Sequence, residues 1–395
     1  MMKNVFLSEI GTIITGNTPR KDNDAFYDSK DIPFVKPDDF QNKNQITSIS
    51  DANNFVSERA RNKARIVHKN SILVTCIGII GKIALVRNKE VAFNQQINAI
   101  VPNESVLPEY LVYALLFNQN RLQSIANAPV VPIINKNQFS SFEISIHKDI
   151  KKQQKIASTL DLASELIEKR KEQIAEMDKL IQSVFYEMFE KHIRAKKFIS
   201  LGSITNHISS GATPKGGSLV YKKEGIRFIR SQNVLMNCID YTDVVYISEE
   251  THHKMNRSKL KKNDILLNIT GASIGRVATY SGNDDEANTN QHVAAIRLGT
   301  NDFSPFFISY FLASDYQQAI IKNISSGGTR EALNYQQIKN FQIPNVDIVL
   351  QNQFTSIVKE IELQKRVMEE SLHEMENNLN ALMQKAFRGE LFPEE

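Results

Sequence analysis

The chain has 395 residues, more than one hydrophobic core usually serves, so two or more domains are the starting expectation. Hydrophobic residues at 41% and charged residues at 23% are ordinary for a soluble globular protein, and no apolar run approaches the roughly 18 residues of a membrane span. The net charge of +4 is small and unevenly spread, so local clusters say more than the total.

The opening "MMKNVFLSEIGTII" carries Lys3 but soon meets Glu9 and lacks a small-residue cleavage pattern, so it reads as no export signal. It runs on into "LSEIGTIITGNTP" (7–19), whose closing Gly-x-Thr-Pro reads as a turn. From there to about residue 150, short β-branched runs such as "IPFVK" (32–36) alternate with Gly, Asn, Asp and Pro breaks, which predicts a mixed α/β domain with a substantial sheet. The stretch "NSILVTCIGIIGKIALV" (70–86) opens as a buried strand and holds Gly78, Gly81 and Lys82. A phosphate loop needs a glycine five positions before its Gly-Lys pair and a hydroxyl residue after it; Cys76 and Ile83 stand there instead, so nucleotide binding is excluded on this pattern. One helix is predicted near 108–127.

Residues 151–193 differ in character. Apolar residues fall at Ile156, Leu160, Ala163, Ile167, Ile174, Met177, Ile181, Val184 and Met188, in steps of four and three with only Arg170 out of pattern. Such a sustained step is a coiled-coil seam, because the stripe of a generic surface helix drifts at about 3.6 residues per turn. At about 1.5 Å per residue the helix is on the order of 60 Å long.

Everything then recurs about 195 residues later. "LGSITNHISSGATP" (201–214) answers to 7–19, "IRFIR" (226–230) to 32–36, and "NDILLNITGASIGRVATY" (263–280) to 70–86. "NQHVAAI" (290–296) answers to "NQQINAI" (94–100), a helix near 305–323 to that near 108–127, and "NYQQI" (334–338) to "NKNQF" (135–139). The second seam has Phe354, Val358, Ile361, Met368, Leu372, Met375, Leu379, Leu382 and Ala386 with only Lys365 out of pattern, superimposable on the first at an offset of 198. A period this long means duplicated domains rather than a solenoid. The fold class is therefore α/β (α+β): two similar mixed α/β domains and two long helices forming an antiparallel coiled coil, related by a pseudo-twofold internal repeat. The expected division is 1–150 domain, 151–197 helix, 198–348 domain and 349–395 helix, with the two domains at opposite ends of a rod.

Each domain carries an acid-free basic run just before the same repeated strand: Arg59, Arg61, Lys63, Arg65 and Lys69 in the first, Lys254, Arg257, Lys259, Lys261 and Lys262 in the second. Two such runs at matched positions point to a polyanion, with phosphate contacts supplying sequence-independent affinity. Reading bases needs polar side chains that reach base edges. The candidates are Asn94, Gln95 and Gln96; Asn290, Gln291 and His292; and Arg230, Gln232 and Asn233, each with turn or strand-end hydrogen bonding as its alternative role. Cys76 and Cys238 fall in strand-like stretches and read as core residues, fitting a reducing cytoplasm. The pair His252-His253 reads as part of a solvated loop rather than a zinc site. No Gly-x-Ser-x-Gly, His-Glu-x-x-His, paired Cys-x-x-Cys or Asn/Asp-Pro-Pro-aromatic motif occurs, so catalysis is assigned to a partner.

Across essentially its whole length the sequence resembles the specificity subunits of Type I restriction-modification systems. The resemblance rests on "GNTP" and "GATP", "NSILVTCIGIIGKIA" and "NDILLNITGASIGRVA", "NQQ" and "NQH", and the final "LMQKAFRGELF", with "CIGII" at 76–80 departing further from the family pattern than "TGASI" at 270–274. It implies a non-catalytic subunit whose two target-recognition domains each read half of a bipartite double-stranded DNA target, with the helices setting the spacer. It also implies docking of two modification subunits, which carry AdoMet and methylate adenine at N6, and of restriction subunits using ATP and magnesium. It places no cofactor or metal in this chain, which stays in the cytoplasm with no membrane contact. Two alternatives are the specificity subunit of another bipartite restriction type and a non-enzymatic coiled-coil scaffold whose globular ends bind proteins.

Overall fold

The computed structural model describes residues 2–41, 45–126, 131–214, 216–284, 286–325 and 332–392. The chain forms two compact units, Met1–Glu172 with Glu369–Glu395, and Gln173–Met368. The first contains β1 (Met2–Phe6), α1 (Leu7–Ile10), β2 (Gly11–Thr15), β3 (Ile32–Val35), β4 (Ile46–Ile49), β5 (Phe55–Val56), β6 (Ile66–His68), β7 (Ile72–Thr75), β8 (Ile83–Val86), β9 (Glu90–Phe93) and β10 (Ile97–Pro102). It continues through α2 (Pro108–Phe117), α3 (Gln119–Ser124), α4 (Lys136–Ser140) and β11 (Glu143–His147) into α5 (Ile150–Arg194), which runs on into the second unit. There follow β12 (Phe198–Ser200), β13 (Thr205–Ser210), β14 (Ile226–Ile229), β15 (Val245–Ile247), α6 (Glu249–Lys254), β16 (Ile265–Asn268), β17 (Val277–Thr279), β18 (Ala287–Thr289) and β19 (Val293–Leu298). Then come α7 (Pro305–Ala313), α8 (Asp315–Ser325), α9 (Tyr335–Lys339), β20 (Gln342–Pro344) and α10 (Ile348–Phe387), whose last part returns to the first unit.

The first unit holds a sheet ordered β2-β10-β7-β8-β4, a second ordered β5-β3-β9-β6, and the pair β1-β11. The second repeats this with β13-β19-β16-β17, β15-β14-β18 and β12-β20. Both mix antiparallel ladders with parallel ones, β3 with β9 and β14 with β18. Strands β3, β7, β8 and β16 are buried on both faces, which is why they read as unbroken apolar runs rather than alternating ones. In β7 and β8, Ile72, Val74, Ile83 and Leu85 join the core beneath the helices, while Leu73, Ala84 and Val86 join the core shared with the second sheet. Ile265 and Leu267 of β16, with Val277 of β17, face helices in the same way, and Leu266 and Ala278 face the second sheet. The period-two alternation of side chains thus feeds two cores from one strand.

The duplication extends to single backbone angles. Asn70 and Asn263 take φ of 72° and 71°, Gly78 and Gly271 75° and 74°, and Gly81 and Gly275 82° and 88°. Asn135 caps α4 and Asn334 caps α9, each in a reciprocal box with the glutamine three residues on. Gln153 and Gln351, both fully buried, each accept one backbone amide, from Leu107 and Ser304 respectively, and donate to two carbonyls, so each pins its long helix to the strand-to-helix loop of its unit.

Within the first unit Lys171 Nζ lies 3.6 Å from Glu376. Within the second, Lys365 Nζ lies 2.6 Å from Asp178, and the rings of Phe185 and Phe354 meet at 5.5 Å between centroids. Numbering rises along one helix as it falls along the other, so the helices pair antiparallel in each unit. Every seam position read from the sequence is buried or half-buried, the out-of-pattern Arg170 and Lys365 included. The stripe widens where the helices enter the domain cores, with Phe185, Phe189 and Ile193 in the second unit and Met383 and Phe387 in the first.

Three expectations about helices, cysteines and histidines need correction. The single helix near 108–127, whose last residue lies outside the described residues, is two, α2 and α3, and its counterpart is α7 and α8. Asn118 Nδ2 bonds the Ala114 carbonyl and Ser314 Oγ the Phe311 carbonyl, so a short polar side chain competes with the backbone ladder at each break. Cys76 is buried, which pushes its thiol up to about 12, but Cys238 is exposed in the loop between β14 and β15 rather than in a core. His252-His253 lies on α6, not in a solvated loop; His252 is buried and its Nδ1 bonds Asn288 Oδ1. Among the described residues no cluster of His, Cys, Asp or Glu could hold a metal, and no helix is long and apolar enough to cross a membrane.

Candidate nucleic-acid interface

The repeated Gly-x-Thr-Pro segment is not a turn. Leaving β2, the chain runs beside the 93–97 loop, with the Gly16 amide donating to the Ile97 carbonyl and the Asn17 amide to the Phe93 carbonyl, both at 3.0 Å. A Cβ on Gly16 would lie 2.1 Å from the Asn94 carbonyl oxygen, so only glycine permits the approach. Thr18 Oγ1 then donates to Gln95 Oε1 at 2.7 Å. In the second unit the Gly211 amide donates to the Asn290 carbonyl at 3.1 Å, and a Cβ on Gly211 would lie 1.5 Å from the Thr289 carbonyl oxygen. Thr213 Oγ1 donates to Gln291 Oε1.

These contacts sort the polar candidates. Asn94 and Asn290 are buried and close their own turns, Asn94 Oδ1 accepting the Gln96 amide and Asn290 Oδ1 the His292 amide, each at 3.1 Å. Gln95 and Gln291 are exposed beside them. Gln96 and His292 are half-buried; Gln96 Oε1 accepts from Asn94 Nδ2 at 2.9 Å, and His292 pairs through Nδ1 with Thr270 Oγ1 and through Nε2 with Gln291 Nε2. Arg230, Gln232 and Asn233 gather on another loop. Arg230 and Gln232 both bond the Asp243 carboxylate, and Asn233 Oδ1 accepts the Arg230 amide at 3.0 Å. Arg230 also stacks over Tyr221, 5.8 Å from the ring centre.

The basic run of the first unit is fastened to the Gly-x-Thr-Pro segment. Asn17 Nδ2 donates to the Lys63 carbonyl at 2.6 Å, and Asn17 Oδ1 accepts the Arg65 amide at 2.7 Å. Lys63, Arg65 and Lys69 are exposed, and among the described residues none of them is in an ion pair. Arg59 pairs with Asp28 at 3.3 Å. Arg61 is held between Glu90 and Glu58; hydrogen bonds to these carboxylates raise its pKa, and Arg61 in turn holds Glu90 below its ordinary value. In the second unit the fully buried Asp264 organises the run, accepting the Lys261 amide at 2.7 Å and pairing with Arg297 at 2.6 Å. Lys254 pairs with Glu250. Arg257, Lys261 and Lys262 are exposed and Lys259 half-buried, without ion pairs among the described residues.

Each unit therefore presents an exposed glutamine amide fixed by a threonine; the cationic run is bonded to the Gly-x-Thr-Pro segment through Asn17 in the first unit, and in the second to the strand that leads into it, Ser209 Oγ donating to the Arg257 carbonyl at 2.6 Å. The profile of the family described as the Type I restriction modification DNA specificity domain matches the chain twice, over residues 1–176 and 194–377. The chain belongs to that family. Its two specificity-domain matches fall one on each copy of the internal repeat. The Type I restriction enzyme HindI specificity subunit of Haemophilus influenzae is 35% identical over 141 residues, which is 35% of this chain and only 30% of that relative. The Type I restriction enzyme MjaIX specificity subunit of Methanocaldococcus jannaschii is 25% identical over 419 residues, covering 98% of this chain and 93% of the relative. The crystal structure of a Type I restriction-modification system S subunit from M. genitalium superposes with a TM-score of 0.54 at 17% identity, covering 100% of this chain and 97% of that one. At that identity the likeness carries the fold.

Thr18, Thr213 and Asn17 escaped the reading of the sequence as functional residues. For the threonines the sequence did carry a signal, the recurrence of Gly-x-Thr-Pro in both copies, whereas Asn17 has Ala212 at its matched position and carried none.

Proposed function

We propose that the chain is the DNA specificity subunit of a Type I restriction-modification complex. Residues 1–150 and 198–348 act as recognition domains, each reading half of a bipartite double-stranded target, while 151–197 and 349–395 set the spacer and dock two modification subunits. Those subunits bring AdoMet and methylate adenine at N6; restriction subunits bring ATP, magnesium and the nuclease. The chain itself directs them, in the cytoplasm. Lys63, Arg65, Lys69, Arg257, Lys259, Lys261 and Lys262 contact phosphate, joined by Arg59, Arg61 and Lys254 at the cost of existing ion pairs. Gln95 and Gln291 lead the base-reading groups; Gln96, His292, Arg230 and Gln232 contribute from their bonded positions, and Asn94, Asn290 and Asn233 shape the loops that carry them. What supports this reading is one observation above the rest: the same threonine-held glutamine beside an anchored basic run occurs twice in one chain of this family.

The test is a genome-wide map of N6-methyladenine in a host making this chain with its modification subunit, against the same host lacking the chain. The expected result is a new interrupted motif with one methylated adenine in each half. No new motif from an assembled complex would leave a scaffold as the better account.

A further inference from the structure

Gln95 and Gln291 are exposed side chains with several rotatable bonds, and a free glutamine at a DNA surface can turn its amide either way. A free amide can offer donor and acceptor together, which suits the N6 and N7 edge of adenine. Neither amide is free. In each unit the hydroxyl of the Gly-x-Thr-Pro threonine donates to the glutamine Oε1, which engages the carbonyl with the protein and leaves the NH2 group as the donor end of the amide. All of the motif's fixed residues serve that bond. The glycine lets the segment lie against the loop that carries the glutamine, where a Cβ would collide with a backbone carbonyl. The proline after the threonine restricts the threonine's own backbone to the extended region. The device is built twice although the neighbouring residue differs, Asn17 in one unit and Ala212 in the other.

Resting on the specificity reading above, we infer that Thr18 and Thr213 are specificity-positioning residues. Each holds a glutamine amide as a hydrogen-bond donor, so that its half-target is read at a base edge presenting an acceptor, such as guanine O6 and N7 or thymine O4. The two sites are not equal. Gln291 Nε2 already lies 3.0 Å from His292 Nε2, and donating there leaves one N–H for DNA. At Gln95 the neighbouring Gln96 Oε1 instead accepts from Asn94 Nδ2, and among the described residues no hydrogen bond takes up the N–H groups of Gln95. The first half-target thus meets a two-proton donor and the second a one-proton donor.

The experiment is the methylation map repeated with Thr18→Val and Thr213→Val, each beside its Thr→Ser control, in the full complex. Valine keeps the branched shape and removes the hydroxyl; serine keeps the hydroxyl. Thr18→Val is expected to relax one base position in one half of the motif, with discrimination there falling roughly ten- to a hundred-fold and the other half unchanged. Thr213→Val should do the same in the opposite half, and both serine variants should keep the parental motif. Valine variants that write the parental motif unaltered would overturn the inference, as would serine variants as relaxed as valine. Methylation lost at all sites with valine and restored in full by serine supports it, because the hydroxyl is then what the complex requires. A parental chain that writes no bipartite motif would instead remove the specificity reading on which the inference rests.

Discussion

At the scale of single residues, the two kinds of candidate are separated by what already holds them. Lys261 is fixed through its backbone amide to the buried Asp264, which leaves its exposed ammonium for a phosphate. Lys261→Ala should therefore weaken every DNA sequence alike and lower the slope of log affinity against log salt by about 1. Gln291→Ala should leave that slope alone and relax one base position, a cost of roughly 1–3 kcal/mol against the cognate sequence only. Arg61→Ala is the internal contrast: with its guanidinium spent on Glu58 and Glu90, it should alter the slope less than Lys63→Ala does. Titrations of cognate and scrambled duplexes over a salt series measure all three, and equal, sequence-blind weakening by Lys261→Ala and Gln291→Ala would abolish the division of labour. Residue types alone made these side chains candidates, since charge and polarity are properties of composition. Which of them were already bonded was not legible, because Glu90 lies 29 positions from Arg61, and Asp264 faces Arg297 only once β16 and β19 pair. Asn94, Asn233 and Asn290 look like readers in the sequence and are turn-closers in the fold, a distinction that rests on burial.

At the scale of elements, the long helices were the most legible part of the chain. A step of four and three sustained over ten positions has one geometric meaning, and the pairing of Lys171 with Glu376 and of Asp178 with Lys365 realises it in each unit. What the step could not reveal is where a seam ends and a domain core begins. Phe185, Phe189 and Phe387 lie off the strict pattern, and they are the residues that join helix to sheet. The breaks between α2 and α3 and between α7 and α8 were hidden for a different reason. Asn118 and Ser314 are tolerable in a helix, and the side-chain bonds to the preceding turn that mark each break form only in the folded chain. If the helices set the spacer, inserting one heptad into each, in register, should lengthen the gap between half-targets and change neither half. Seven residues add about 10 Å, close to three base pairs at about 3.4 Å each. Methylation mapping reads both quantities at once, and an altered half-target sequence would sink the ruler model.

At the scale of the whole chain, the last helix completes what the first strands began. Met383, Ala386 and Phe387 of α10 sit in the same core as Leu7, Ile10, Ile72 and Tyr110, with the Phe387 ring 5.3 Å from that of Tyr110 and 5.3 Å from that of Phe117. Phe354 and Val358 at the other end of the same helix fill the core of the second unit with Phe307 and Phe311. The first unit is thus not a continuous stretch of sequence, since it closes only when residues 369–395 arrive, whereas the second, Gln173–Met368, is continuous. Removing residues 369–395 takes three buried side chains out of the first core. At about 1.5–3 kcal/mol for each of the two large ones, that is a large share of an ordinary domain's stability of about 5–15 kcal/mol. A chain ending at Met368 should therefore lose amide-exchange protection in β7, β8, β10 and α2 while keeping it in β16, β19 and α7, whose core retains Phe185, Phe189 and Phe354. The comparison is internal to one molecule, so a general loss of folding would be seen as loss in both sets. Undiminished protection in the first set would mean that residues 1–172 hold their core without the returning helix, and that the duplication yields two independent domains.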